Sequence, residues 1–218
     1  MSRLRGVTEA ETTPDSRALI AHAEANGAPD SRIVSIYART PLGVEFFRFW
    51  NKLMAPGALS VRLKELVRIF VSVSGECGYC SVVRSAAAQL DGVDEGLVVE
   101  MVDFERSELL TAQEKAALRY AAIYRAQPER AADDEVWGDL AAHFDDEQLI
   151  ELNLLLTLLR GGAPFVKALR LVSWNEVCEL KPELQAALQR KSQRDRAAGA
   201  GGPDTANMVP AAPLAFEE

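Results

Sequence analysis

Apolar side chains recur every three or four residues along most of the chain, and the alternating pattern of a half-buried strand is rare. The clearest predicted helix follows Ser60, a natural N-cap, and ends at Gly75. Five apolar residues of this segment fall on one helical face: Leu63, Leu66, Val67, Phe70 and Val71. The pattern therefore predicts an all-α protein, folded as a single-domain helical bundle.

Capping residues and turn formers place the other helices. Asp15 is expected to cap a helix that runs to about Asn26, and Thr40-Pro41 opens a helix that continues to Met54. Further helices are predicted from Asp94, from the capping box formed by Thr111 and Glu114, and over residues 134–143, 146–160, 164–172 and 182–196.

Two short stretches of the chain share a pattern. Leu63-Lys64-Glu65-Leu66 is followed by Gly75, and Leu149-Ile150-Glu151-Leu152 is followed by Gly161, with ten residues from Glu to Gly in each. The match raises the hypothesis of a degenerate internal duplication. The second copy has no cysteines directly after its glycine, so any redox chemistry belongs to the first.

The two ends of the chain lack a periodic apolar face. Residues 1–14 are predicted to be a flexible N-terminus, and residues 15–196 one all-helical domain. Residues 197–218 are rich in Gly, Ala and Pro, so burial cannot repay the entropy of ordering them. This tail is expected to be disordered or draped over the domain.

Charge and hydropathy exclude several classes of partner. The net charge of -8 and the pI near 5.0 oppose binding to nucleic acid, which needs clustered Lys and Arg. The most apolar run, Leu149–Leu159, is interrupted by Glu151 and Asn153 and is shorter than the roughly 20 residues of a membrane span. The basic N-terminal residues are not followed by the apolar stretch of a secretion signal. A cytoplasmic protein without a membrane partner is expected.

Cys77, Cys80 and Arg84 carry the most distinctive chemistry. Their spacing of i, i+3 and i+7 puts them on one face of a helix that would begin near the cysteines and run to Leu90. Backbone amides at the start of this helix and the Arg84 cation would stabilise a thiolate. Such a CxxC pair can attack a peroxide or disulfide with one sulfur and resolve the product with the other.

Two other interpretations of the cysteine pair stay open. Zinc would need four ligands, and Cys178, His22 and His143 lack zinc-finger spacing, so no metal or organic cofactor is expected. Buried, inert cysteines are the more serious alternative, because an unreactive Cys packs like a small hydrophobic residue. Cys178, which has apolar neighbours, is expected to be of that kind.

Residues 59–67, 75–80 and 85–88 together resemble the core of the alkylhydroperoxidase D-like / carboxymuconolactone decarboxylase family. The signature of that family is a Glu, a CxxC twelve residues later, and a His four residues after the second Cys. Glu65, Cys77 and Cys80 match this spacing, and a looser resemblance extends over residues 40–175.

The resemblance implies an all-helical subunit that assembles as a homo-oligomer, a trimer or hexamer. Cys80 would attack the substrate, Cys77 would resolve the intermediate and Glu65 would act as the base. Without the resemblance, Glu65 would be expected to be a solvated surface carboxylate. Arg84 occupies the position of the family's His, and because an Arg stays protonated it cannot relay a proton. Arg84 is instead expected to stabilise the Cys80 thiolate, to bind a substrate carboxylate or to pair with Glu65.

The leading functional prediction is a thiol-dependent oxidoreductase that reduces a small hydroperoxide or disulfide and is recharged by a thiol-based electron donor. A lyase of the carboxymuconolactone type is the first alternative, with Arg84 as the anchor for a substrate carboxylate. A non-catalytic oligomeric binding module of the same fold is the second. Only the leading hypothesis requires Cys77 and Cys80 to react.

Overall fold

A computed structural model describes residues 2–25, 31–74, 80, 83–170 and 182–197 of the chain. The α-helices in these ranges are α1 (Pro14–Ala25), α2 (Arg32–Tyr37), α3 (Pro41–Met54), α4 (Val61–Ser74), α5 (Ala86–Leu90), α6 (Glu95–Glu100), α7 (Ala112–Ala126), α8 (Asp134–Ala141), α9 (Asp146–Leu169) and α10 (Pro182–Ala197). Short 3-10 helices cover Glu9–Glu11, Met101–Arg106 and Pro128–Ala132. The described ranges contain no strand, and the all-α prediction is confirmed.

Helix α4 runs through the centre of the bundle and packs against α7 and α9. Its predicted apolar stripe is buried, but burial extends around the whole helix and includes every residue from Leu63 to Ser74. The polar residues Lys64, Glu65 and Arg68 are therefore enclosed as well. The expectation that Glu65 is solvated is wrong, since only 1% of this residue is exposed. A charged side chain in such a position must be paired and hydrogen-bonded, because the core cannot replace its hydration.

Lys64 and Glu151 supply one of these pairs and join α4 to α9. The Lys64 ammonium ion forms an ion pair with the Glu151 carboxylate and donates to the backbone oxygen of Ala55 at 2.6 Å. Glu151 also accepts the backbone N–H groups of Ala58 at 2.7 Å and Leu59 at 3.2 Å. The pair thus fixes the turn between α3 and α4. The hypothesised internal duplication stays a prediction.

Local capping signals agree with several observed helix ends. Helix α3 begins at Pro41 after Thr40 and ends at Met54, as expected from the sequence. The capping box of α7 is present, because Thr111 and Glu114 each accept the other's backbone N–H, at 3.1 and 2.8 Å. Helix α2 had no counterpart in the sequence prediction, because its six residues are too few to show a helical period.

Helix α9 differs from its prediction. The sequence indicated a break at Gly161-Gly162 and a new helix from Pro164, but the helix continues through all three residues to Leu169. Proline removes one helical hydrogen bond at this point. Packing of Leu152, Leu155, Leu156 and Leu159 before it, and of Val166 and Leu169 after it, overrides this local cost. The left-handed Arg170, with φ of 49°, ends the helix.

Helix α9, with 24 residues, is long and apolar enough to cross a membrane, by length and composition alone. The sequence prediction considered the shorter run Leu149–Leu159, whereas the observed helix extends to Leu169. One such helix is weak support for a span, because the core helix of a globular protein can be equally long and apolar. Here the ion pair of Glu151 with Lys64 ties α9 into the bundle.

The described start of the chain lies against the helices. The Arg3 N–H donates to the Leu169 oxygen at 2.9 Å, and the Val7 N–H donates to the Ser35 oxygen at 3.2 Å. These bonds link the segment before α1 to α2 and to the end of α9. The proposed domain boundaries stay predictions, and the predicted tail lies, apart from Ala197, outside the described residues.

Candidate active site

Cys80 lies half-buried in the wall of a cavity of about 380 Å³. The cavity is bounded by residues of α1 to α4, by the segment around Cys80 and by α9, and most of its lining is apolar. Four aromatic side chains contribute to it: Tyr37, Phe46, Phe47 and Trp50. Cys77, the predicted resolving cysteine, lies outside the described residues. The attacking thiol predicted from the sequence therefore has access to a space that can hold a small apolar molecule.

Glu65 and Arg68 form a two-pronged ion pair on α4, beside this cavity. The Arg68 Nε donates to Glu65 Oε2, and its Nη2 donates to Oε1, both at 2.8 Å. The backbone N–H of Ser85 also donates to Oε1, at 2.9 Å. Both carboxylate oxygens of Glu65 are thus engaged, and the pair is buried with little access to water.

Arg68 also holds the backbone that carries Cys80. Its Nη1 donates to the Cys80 oxygen at 2.7 Å, and its Nη2 donates to the Val83 oxygen at 2.6 Å. The planar guanidinium has five N–H donors and makes all four of these hydrogen bonds at once, whereas a lysine has only three donors. The sequence reasoning missed Arg68, although its spacing of i+3 from Glu65 is that of a helical ion pair.

These contacts determine the protonation of Glu65. Burial by itself would raise the pKa of Glu65, but the Arg68 cation, its hydrogen bonds and the Ser85 N–H together outweigh burial, and the pKa lies below its ordinary value. A carboxylate that is held in its charged form is a poor acceptor of a proton. The geometry therefore supports an anchoring function for Glu65, while its predicted function as a base stays a prediction.

The predicted helix that runs without a break from the cysteines through Arg84 to Leu90 is wrong. Residues 83–85 are not helical. Ser85 is extended, with φ of -72° and ψ of 126°, and its side chain caps the short α5. The carbonyl groups of Cys80 and Val83 bind Arg68. The Arg84 side chain binds Glu95 instead of Glu65, with Nε to Oε1 at 2.8 Å and Nη2 to Oε2 at 3.3 Å. It does not line the cavity.

Tyr37 is a second lining residue that the sequence reasoning missed. Its ring is in edge contact with Phe47 and Phe165, at centroid distances of 4.9 and 5.3 Å, and is stacked with Phe46 at 5.2 Å. Burial, and then the negative charge of a Cys80 thiolate, raise the pKa of Tyr37 to about 12. The hydroxyl group therefore stays protonated at neutral pH and lies within electrostatic range of the thiol.

The two histidines of the chain, His22 and His143, lie in different places. His22, on α1, lines the cavity, whereas the His143 ring contacts the backbone oxygen of Asp139 at 2.8 Å. Among the described residues, no three His, Cys, Asp or Glu side chains are grouped so as to hold a metal ion. Cys77 and Cys178 lie outside those residues, so the zinc alternative is not tested in full.

Residues 44–122, which extend from α3 into α7, match the model of the carboxymuconolactone decarboxylase family. This part of the chain is similar to that family. The match includes Glu65, Cys80 and Arg84, so the family resemblance inferred from the Glu and CxxC spacing is confirmed.

Known proteins resemble this chain over larger parts of its length. The Bacillus subtilis (strain 168) protein YdfG is 24% identical over 131 residues, which are 60% of this chain and 89% of YdfG. The structure of the debrominase Bmp8 without ligand has a TM-score of 0.66 at 18% identity, over 87% of this chain and 97% of Bmp8. A peroxidase-related protein from Silicibacter sp. TM1040 has a TM-score of 0.62 at 19% identity, over 78% and 92% of the two chains. At these identities the two structures show a shared fold.

Proposed function

We propose that this chain, which is similar to the carboxymuconolactone decarboxylase family, is a cytoplasmic thiol-dependent oxidoreductase that reduces small apolar hydroperoxides. The observation that carries the proposal is the position of Cys80 in the wall of a mainly apolar cavity of about 380 Å³. Disulfides of similar size are a related class of substrate, because a thiolate attacks both by the same displacement. Assembly as a homo-oligomer belongs to the same proposal and rests on the family resemblance.

The reaction divides between the two cysteines. The Cys80 thiolate attacks the terminal oxygen of the hydroperoxide, the O–O bond breaks, and the products are a Cys80 sulfenic acid and an alcohol once the leaving oxygen has gained a proton. The Cys77 thiol then attacks the Cys80 sulfur, which gives a disulfide and one water. An external dithiol reduces this disulfide, so the oxidising equivalent of the hydroperoxide ends in the external disulfide.

Arg68 and Glu65 position the attacking cysteine in this proposal. Arg68 binds the Cys80 oxygen, and Glu65 holds Arg68 and the Ser85 N–H, so the two charged residues fix the backbone at Cys80 and at Ser85. Arg84 does not line the cavity, and the alternative lyase therefore lacks the anion anchor that the sequence suggested for it.

Consumption of cumene hydroperoxide in the presence of dithiothreitol tests the proposal. We expect Cys80→Ser to lower turnover to the uncatalysed rate, because the hydroxyl group of serine is not ionised at neutral pH. When dithiothreitol is left out, Cys77→Ser should consume about one equivalent of hydroperoxide rapidly and then stop, and a sulfenic-acid reagent such as dimedone should label Cys80. Cys178→Ser is the matched control and should turn over normally. Undiminished turnover in Cys80→Ser would refute the proposal.

The aromatic side chains of the cavity favour a second candidate, the reductive debromination of a small ring. Bmp8 is described as a debrominase, and one of its structures is a cysteine-to-alanine variant in complex with 2,3,4-tribromopyrrole. Tyr37, Phe46, Phe47 and Trp50 could pack against such a ring. In this reaction the ring gains hydrogen, bromide leaves, and the dithiol is oxidised to a disulfide.

Bromide release from 2,3,4-tribromopyrrole with dithiothreitol as reductant measures this second activity. If the chain is a debrominase, we expect one bromide for each disulfide formed, and loss of release in Cys80→Ser but not in Cys178→Ser. Absence of bromide above the rate of a protein-free control would leave hydroperoxide reduction as the only candidate of the two.

A further inference from the structure

Attack on a hydroperoxide needs a proton at the oxygen that leaves. An alkoxide is a strong base, comparable to hydroxide, so its departure is slow unless an acid protonates it. Arg84, at the position where the family has a His, cannot donate a proton at neutral pH and binds Glu95. Glu65 is held as an anion by Arg68 and Ser85 and has no proton to give.

Tyr37 is placed to supply this proton. It is the last residue of α2 and lines the same cavity as Cys80. The residue before it, Ile36, is in one apolar cluster with Val166 and Leu169 of α9, and Cys80 packs against that cluster. The tyrosine and the cysteine therefore belong to adjoining parts of one wall.

The surroundings of Tyr37 hold its ring in one orientation. Phe46, Phe47 and Phe165 enclose it by one stacked and two edge contacts. A Cβ atom on Gly43 would collide with the backbone oxygen of Tyr37, so only glycine lets α3 approach α2 this closely. A donor that is fixed before the substrate arrives loses little entropy in the reaction.

We propose, on the basis of the proposed function, that Tyr37 is the acid that protonates the oxygen leaving from the hydroperoxide. The Cys80 sulfur forms a bond with the terminal oxygen, the O–O bond breaks, and the departing oxygen takes the phenolic proton of Tyr37. The products are a Cys80 sulfenic acid, an alcohol and a Tyr37 phenolate, and the phenolate regains a proton from solvent.

The acidity of Tyr37 suits this task. Burial and the thiolate charge raise the pKa of Tyr37 to about 12, so the proton is present at neutral pH. The alkoxide that leaves is more basic than this phenolate, and transfer of the proton is therefore downhill. Tyr37 would thus replace the imidazole that the chain lacks at Arg84.

Two substrates that differ in the basicity of the leaving oxygen test the proposal in the full-length protein. Cumene hydroperoxide releases an alkoxide and needs the acid, whereas peracetic acid releases a carboxylate that leaves without a proton. We expect Tyr37→Phe, which keeps the ring, to lower kcat/KM for cumene hydroperoxide by about 100-fold. The value for peracetic acid should stay close to that of the wild type.

Three comparisons make the result decisive. Tyr124→Phe removes a hydroxyl group that contacts Thr157 and does not line the cavity. This variant should leave kcat/KM unchanged for both substrates. An equal loss for both substrates in Tyr37→Phe, or no loss, would overturn the assignment of the acid. A selective loss for cumene hydroperoxide in His22→Gln instead of Tyr37→Phe would also overturn it and assign the proton to the imidazole. Failure of the thiol mechanism itself would appear separately, as unchanged turnover of both substrates in Cys80→Ser.

Discussion

Replacing Glu65 by Gln is expected to lower the free energy of unfolding by about 3–5 kcal/mol at neutral pH, because it leaves the buried Arg68 cation without its counter-charge. The side chain of Glu65 is 1% exposed and that of Arg68 7% exposed, so water cannot replace the lost pairing. For a chain of this size, the melting temperature should fall by roughly 6–20 °C. Urea unfolding followed by circular dichroism measures the change.

An exposed carboxylate provides the control for this substitution. Glu100→Gln removes the same charge from the exposed side of α6 and should change stability by less than about 0.5 kcal/mol. If Glu65→Gln behaved like Glu100→Gln, the ion pair with Arg68 would not contribute to stability.

The stability difference between the wild type and Glu65→Gln should depend on pH. The pKa of Glu65 in the folded protein lies below its ordinary value, so the contribution of this carboxylate is complete above the unfolded pKa of about 4.3. It is lost as the pH falls through the folded pKa. We therefore expect a full difference at pH 7 and a smaller one in acid, and a difference that grew in acid would contradict the assigned direction.

Replacing Glu151 by Ala is expected to destabilise the protein by a similar amount, about 3–5 kcal/mol, for a related reason. Lys64 has no exposed side-chain surface and would remain as a buried cation without its carboxylate partner. The N–H groups of Ala58 and Leu59 would also lose their acceptor, although water has access to part of this turn.

A double substitution separates this pair from the general effect of a smaller side chain. Lys64→Met with Glu151→Leu removes both charges and keeps similar volumes, and it should be less destabilised than Glu151→Ala. Urea denaturation of the wild type, of Lys64→Met, of Glu151→Leu and of the double variant gives the coupling energy between the two side chains. Additive effects would mean that the ion pair does not act as a unit.

The sequence predicted the main helices because their ends and their apolar period are local properties. Thr40-Pro41, Ser60 and the Thr111 capping box each lie next to an observed helix start. The prediction failed where long-range packing outweighed a local rule. Helix α9 continues through Pro164 because buried leucines on α9 hold it against α4. The residues around Pro164 do not by themselves indicate this packing.

The candidate site could be predicted only in part for the same reason. Glu65 and Cys80 were found because twelve residues from Glu to CxxC is a pattern along the chain. Arg68 and Tyr37 were not predicted. Arg68 acts through its contact with the Cys80 backbone and Tyr37 through its place in the cavity wall, and both contacts form only in the folded chain. The expected partnership of Arg84 with the cysteines relied on a continuous helix, and the non-helical residues 83–85 direct its side chain to Glu95.

The amino-acid sequence by itself determined the all-α fold and the resemblance to a family, and it pointed to Cys80 as the candidate thiol, because periodicity, capping and motif spacing are all contained in short stretches of chain. Only the tertiary structure decided that Glu65 is buried and paired, that Arg68 holds the backbone of Cys80, and that Tyr37 lines the same cavity. The physical reason is that burial and electrostatic pairing depend on residues far apart in sequence, whose distances are set when α2, α4 and α9 pack together.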